Sequence, residues 1–260
     1  MSTFEKAAAQ LLPAWVQSQQ MLALDADIRP QSRAEGYQVQ QALFQATQEN
    51  TYGWKIAATS VAGQKHIGVS GPLAGRLLES RRMAPGASVS LSGNVMRVME
   101  AEFAFHLGQD VLGSSRALSQ DEVMACVDAL HLAIEIPNSR YADFEHVGEA
   151  SLIADFACAG RVVIGPEVTT PWRNKALNLH QVQVSRQGEA VAHGSGANVL
   201  GDPRLALTWL ANELLSHGMH LKQGDTVITG TCVVPVPVSE GDEMLADFGD
   251  LGQIAVQFTA

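Results

Sequence analysis

The chain has 260 residues, 46% hydrophobic and 17% charged, enough for a substantial core in one domain with an appendage or in two small domains. A formal charge of −10, without any Lys/Arg-rich run, repels phosphate backbones and argues against a nucleic-acid partner. The first residues, MSTFEKAAAQLLPAWVQSQQ, carry Glu5 and Lys6 and lack a signal-peptide pattern, and no run reaches the ~18 apolar residues of a membrane span. Cys126, Cys158 and Cys232 are scattered among apolar neighbours, as free thiols of a reducing cytoplasm would be, and no CxxC or HxxxH spacing suggests zinc. A cytoplasmic protein without membrane contact is therefore expected.

In chain order, residues 3–24 are predicted as helix, kinked or split at Pro13, and 25–33 as a linker. A second helix is predicted over 35–48, and TYGWKIAATS (51–60) reads as a strand carrying Lys55. The Gly- and Pro-rich stretch 68–87 looks like a connection, which sets an expected boundary between a helical or mixed part, 1–80, and a β-rich part, 81–260. Beyond it short β-type runs dominate, punctuated by Gly, Pro and Asp, which favours a sandwich- or roll-like body over a βαβ sheet. Two helices interrupt it. One, 119–130, opens with a Ser119/Glu122 capping box. The other, 202–218, has Asp202 as N-cap, Pro203 in its first turn, Gly218 as its stop, and Leu207, Leu210 and Leu214 on one face. The expected class is α+β, a smaller helix-containing N-terminal part followed by a β-rich body. GSGANVLGD (194–202) misses the GxGxxG spacing and reads as a loop entering the last helix.

Within VMRVMEAEFAFHLG (95–108), Glu100 and Glu102 fall on one face of a strand, roughly 7 Å apart along the backbone. Burying two such charges unpaired costs several kcal/mol, so either the face is solvated and paired with Arg97 or a cation lies between them. HLAIEIPNSR (131–140) adds a lone acid, Glu135, between Ile134 and Ile136. Three carboxylates on apolar β-type runs suit a hard divalent cation, but spacing alone leaves both explanations open. Lys55, flanked by Trp54 and Ile56, is either a snorkelling lysine or a buried one whose lowered pKa suits proton transfer. Arg140 is an ion-pair partner or a carboxylate clamp, and the structural role is favoured.

Blocks along nearly the whole chain resemble the hydratase/decarboxylase branch of the fumarylacetoacetate hydrolase superfamily, whose members act on 2-oxo-alkenoic acids of aromatic catabolism. They are GWKIAATS (53–60), HIGVSGPLAGRLL (66–78), MEAEFAFHLG (99–108), AIEIPNSRYADF (133–144), GSGANVLGDPRLALTWLANEL (194–214), LKQGDTVITGT (221–231) and VPVSEGDEMLADFGDLGQIAVQF (236–258). The resemblance implies a mixed-sheet roll and a Mg²⁺ or Mn²⁺ site at Glu100, Glu102 and Glu135. It also implies Lys55 and Asp155 as catalytic groups, and a substrate pocket lined by Lys55, Thr229, Gly230 and Thr231. The implied activity is hydration of a 2-hydroxy-2,4-dienoate to a 4-hydroxy-2-oxo acid. A 4-oxalocrotonate-type decarboxylase, or a non-catalytic member bound to a sister enzyme, is the alternative. A homo-oligomer is expected. No His–Glu dyad of the kind that serves hydrolysis in the superfamily is evident. Two departures stand out: Asn138 where members commonly read Asp, and Phe156 where they read Asn.

Overall fold

The computed structural model describes residues 1–113 and 115–260. Its elements run α1 (Thr3–Gln17), α2 (Arg33–Thr47), β1 (Thr51–Ala57), α3 (Val61–His66), β2 (Leu73–Leu78), β3 (Arg82–Met83), β4 (Ser88–Ser90), β5 (Val98–Leu107) and α4 (Gln120–Met124). They continue with β6 (Val127–Ile136), α5 (Glu149–Ala154), β7 (Arg161–Glu167), β8 (Gln181–Arg186), β9 (Glu189–Ser195), α6 (Pro203–Ser216), β10 (Thr226–Thr231), β11 (Val236–Pro237), β12 (Glu243–Asp247) and β13 (Gln253–Thr259).

Helix ends follow local chemistry. Ser2 and Glu5 form a capping box on α1, Ser32 caps α2 through the Glu35 amide, and Asp202 accepts from Arg204 N at the start of α6. Helix α1 holds Pro13 without breaking but stops at Gln17, short of the expected residue 24, because Ser18 turns left-handed at φ 52°. The expected helix over 119–130 is shorter still. The Ser119/Glu122 box forms, yet α4 ends at Met124 and Val127 opens β6. The cause is burial of β6 on both faces, which removes the alternation that marks a strand.

Two mixed sheets make the body. One has eight strands in the order β2-β1-β10-β5-β6-β7-β3, with β11 added alongside β5. The other has the order β4-β13-β12-β8-β9. Most neighbours are antiparallel, while β1 runs parallel to β10, β3 to β7 and β4 to β13. Strands β1 and β2, from the N-terminal part, thus share the sheet of β5 and β6. The expected boundary at residue 80 passes between two strands of that one sheet.

Alternation along β5 sends its side chains to two different cores. Met99, Ala101, Phe103 and Phe105 join the core containing the second sheet and α6, where Phe103 meets Phe248 edge to face at 5.2 Å. Ala104, on the side of Glu100 and Glu102, joins the cluster of Leu11, Trp15, Leu43 and Phe156 under α1 and α2. The acids therefore lie between the sheet and the N-terminal helical layer. Among the described residues, no helix is long and apolar enough to cross a membrane. Truncating Phe248, which is fully buried between the sheets, to alanine is expected to lower unfolding free energy by ~3–5 kcal/mol, read from denaturant melts.

Candidate metal centre

Strands β5 and β6 pair so that Glu100 stands directly opposite Glu135, and Glu102 lies two residues along the same face. One carboxylate oxygen from each of the three acids lies within 4.8 Å of the others. Glu102 and Glu135 are completely buried. Strand β10 contributes through an irregularity between Ile228 and Thr231. There the Gly230 amide turns inward and donates to Glu102 Oε2 at 2.6 Å. Gly230 has φ +106°, and a Cβ on it would sit 2.2 Å from Thr59 Oγ1, so this position requires glycine.

Lys55 reaches the acids from β1. Its Nζ is 3.1 Å from Glu135 Oε1 and donates to the Ala157 carbonyl at 3.0 Å. That carbonyl is held in an unusual turn, for Phe156, Ala157 and Cys158 all have positive φ, 49°, 51° and 60°. Such conformations are costly for residues with a Cβ and persist where the surroundings fix them. Here the turn lies against β2, where a Cβ on Gly75 would come within 1.8 Å of Phe156 O, and Phe156 meets Trp15 edge-on at 4.8 Å.

The electrostatics describe an incomplete charge set. Three acids face one ammonium, which leaves two negative charges uncompensated, the charge of one divalent cation. Among the described residues, Glu102 Oε1 and Glu135 Oε2 are buried without a hydrogen-bond donor, and Glu135 Oε1 faces the Lys55 ammonium alone. Buried acceptors of this kind are normally satisfied, so the oxygen-only cluster fits Mg²⁺, Mn²⁺ or Ca²⁺. Burial first, and then Glu135, pushes Glu100 up to about 7. Burial followed by Glu135 and Glu100 raises Glu102 well above the ordinary range, and burial raises Glu135 despite Lys55. For Lys55 the expected lowering is reversed. Burial acts downward, but Glu135 and Glu100, helped by Glu102, outweigh it and hold the ammonium above its ordinary value.

The remaining residues fall into two groups. Gly230 belongs to the centre. The Thr229 hydroxyl donates to Phe103 O and that of Thr231 to Val233 O, so both are spent on backbone. Asp155 stands apart from the triad: its oxygens accept from Ser139 Oγ, Arg140 N and Arg140 Nε, the last at 2.5 Å. Arg140 also donates to the carbonyls of Asp155 and Ala159, bracketing the left-handed turn. Asn138 accepts from Val95 N and donates to Gly93 O, fastening a surface turn. The Ala157 carbonyl and Thr59 escape a reading of side-chain types, since one acts through its backbone and the other through steric fit. Tyr52, buried with its hydroxyl unpartnered and close enough to Glu135 to feel its charge, is a further unforeseen neighbour.

With this geometry in hand, similarity to known proteins is decisive. The fumarylacetoacetate (FAA) hydrolase C-terminal family matches residues 77–259. The chain belongs to that family. The 2-hydroxyhexa-2,4-dienoate hydratase of Comamonas testosteroni is 32% identical over 219 residues, covering 84% of this chain and 81% of that protein. The TodF product hydratase of Pseudomonas putida F1 is 35% identical over 208 residues, covering 79% and 75%. Among solved structures, the 4-oxalocrotonate decarboxylase of Pseudomonas putida G7, complexed with magnesium and adipate, superposes with a TM-score of 0.88 at 26% identity over 98% of this chain and 97% of that one.

Two outcomes follow for the family member described here. Glu102→Gln removes one charge and should weaken Mg²⁺ or Mn²⁺ binding by at least ~10-fold in calorimetric titration, as expected for losing one charged ligand. Carboxyls with folded pKa values above the ordinary 4.5 keep protons that the unfolded chain releases. Without metal, stability should therefore fall as pH rises from 4.5 through about 7. Cation binding needs the carboxylates ionised, so the rise in melting temperature on adding Mg²⁺ should be small near about pH 5 and grow towards about pH 8. A Mg²⁺ effect of constant size across that range would contradict the assignment.

Proposed function

We propose that this protein is a divalent-metal-dependent hydratase that converts a 2-hydroxy-2,4-dienoate into a 4-hydroxy-2-oxo acid, in the breakdown of aromatic compounds. The observation that carries the proposal is the convergence of Glu100, Glu102 and Glu135 beneath a single buried ammonium, Lys55. In this reading the three acids hold Mg²⁺ or Mn²⁺, which supplies Lewis-acid stabilisation of charge developing on a 2-oxo group. The 2-hydroxyl gives up its proton as the terminal diene carbon takes one, and water then adds across C3 and C4, hydroxide at C4 and a proton at C3.

Lys55 is the group assigned to the proton traffic. Its ammonium is charged and fixed by the Ala157 carbonyl and Glu135, so it can steady the enolate, orient water and pass a proton. Gly230 N–H fixes the orientation of Glu102. Asp155, engaged on all sides by Arg140 and Ser139, is assigned a positioning role: it secures the turn that presents the Ala157 carbonyl to Lys55. The TGT stretch supplies the wall of the pocket through its backbone. The protein is expected to work as a homo-oligomer in the cytoplasm, alone or beside another enzyme of the same pathway.

A second reading, decarboxylation of a 2-oxo-3-enedioate, draws on the likeness to the Pseudomonas putida decarboxylase. Against it, Lys55 is the cation acting on all three acids, while Arg140 is taken up by Asp155. A substrate with a second carboxylate would want another positive partner. Two assays, each with and without EDTA, separate the readings: loss of dienol absorbance with 2-hydroxypenta-2,4-dienoate, and release of CO₂ from 2-oxohex-3-enedioate. Turnover of the first substrate, abolished by chelation, is expected. Turnover confined to the diacid would favour the decarboxylase, and no turnover of either would leave a binding role.

Lys55→Met keeps length and apolar bulk while deleting the charge. It should lower kcat by ~10²-fold or more with metal affinity within a few-fold of the parent. Near-parental kcat would remove Lys55 from the chemistry.

A further inference from the structure

A second charged feature lies away from the metal centre. Along β1, Lys55 and Trp54 point to opposite faces of the sheet, and Trp54 pairs across β2 with Arg76. The Arg76 guanidinium is clamped between two aromatic rings, 4.4 Å from the Trp54 centroid and 4.6 Å from that of Phe44. Its flat faces are thus covered and only its rim of N–H groups is left to bind. Nη2 donates to Gln41 Oε1 at 2.6 Å and touches Met219 Sδ at 3.4 Å. Nε is enclosed without an acceptor, and Nη1 has no protein partner among the described residues.

No carboxylate forms an ion pair with this guanidinium among the described residues. Asp225 is the acid that acts on it, and its carboxylate already accepts from Lys222 N at 2.9 Å. Burial accordingly pushes Arg76 down to about 10. A half-buried cation without a direct ion pair carries a desolvation cost that a bound anion offsets. Arg76 opens onto a groove of about 860 Å³ between α2 and the segment following α6, within the size range of small-molecule pockets. Lys222 lines the same groove and adds a second cation, while His217 and His220 add imidazoles and Asp225 a carboxylate. His217 rests on the Tyr37 ring at 4.4 Å, so the rim is partly apolar as well.

We propose that this groove is a second ligand site, separate from the metal centre, which binds a small organic carboxylate with its carboxylate on Arg76 and its apolar body along the groove. Arg76 Nη1 supplies the charge-assisted hydrogen bond to the carboxylate, and Lys222 draws the anion in. The site depends on neither Glu102 nor Lys55, so it stands apart from the assignment of the reaction.

The test is calorimetric titration of the full chain, with Mg²⁺ present, using hexanoate and, in a separate arm, inorganic phosphate. Saturable hexanoate binding is expected. It should weaken by at least ~10-fold in Arg76→Met, the loss expected of a charge-assisted hydrogen bond. Turnover should be retained, because Arg76 touches no part of the metal centre. Absence of a saturable hexanoate isotherm, an isotherm unchanged by Arg76→Met, or phosphate binding as tightly as hexanoate would each overturn the proposal. Should Arg76→Met fail to fold, a crystal of the parent soaked in hexanoate gives the location directly. Density for the carboxylate against Arg76 supports the site, and a groove holding only solvent at saturating ligand overturns it.

Discussion

Everything at the centre of this protein follows from one electrostatic constraint: more negative charge is buried than the protein itself neutralises. Glu102 and Glu135 have no solvent contact, and Lys55 balances a single charge. Removing an unpaired carboxylate from water costs several kcal/mol, so such an arrangement is tolerable only when protons or a cation occupy it. The raised pKa values of all three acids express the first of these solutions, and the oxygen-only donor set provides for the second. The surrounding fold can be understood as the scaffold that keeps the acids from moving apart to relieve the repulsion.

That scaffold acts at the level of backbone. Glu100 and Glu135 are fixed by ladder register, Glu102 by an inward-turned amide in β10, and Lys55 by a carbonyl in a turn of three left-handed residues. The turn is in its own way a strained element, secured by the Arg140–Asp155 pair and by packing on Gly75 and Trp15. Rigid positioning of this kind is what catalysis by preorganised charge requires, because groups that could relax would give up their effect on the reacting atoms.

Much of this could be read in the residues, and what could not has identifiable causes. The acids draw notice because carboxylates at alternate positions of an apolar strand break its pattern, but spacing leaves a solvated face and a shared cation both open, and it is the family resemblance that implies the ligand set. Helix α6 was legible from its Asp202 and Pro203 start. By contrast, the extent of β6 was hidden because a strand buried on both faces carries no alternation. The place of β1 beside β10 is a pairing between distant segments with no local signature. The left-handed turn was concealed because Phe156 is not a residue type that announces positive φ. For Lys55, the position was foreseen but the direction of its pKa was not, since the result depends on how many acids the fold gathers round it.

The parallel pairing of Lys55 with Ile228 has a consequence for the order in which the molecule comes into being. During synthesis β1 emerges well before its hydrogen-bonding neighbour β10, which also carries the amide that orients Glu102. Bringing such distant segments together carries a loop-closure cost that local contacts cannot offset beforehand. A nascent chain can therefore display Glu100, Glu102 and Glu135 on a hairpin long before Lys55 is locked against them. A cation held by these acids would meet its full set of neighbours only once β10 has joined the sheet.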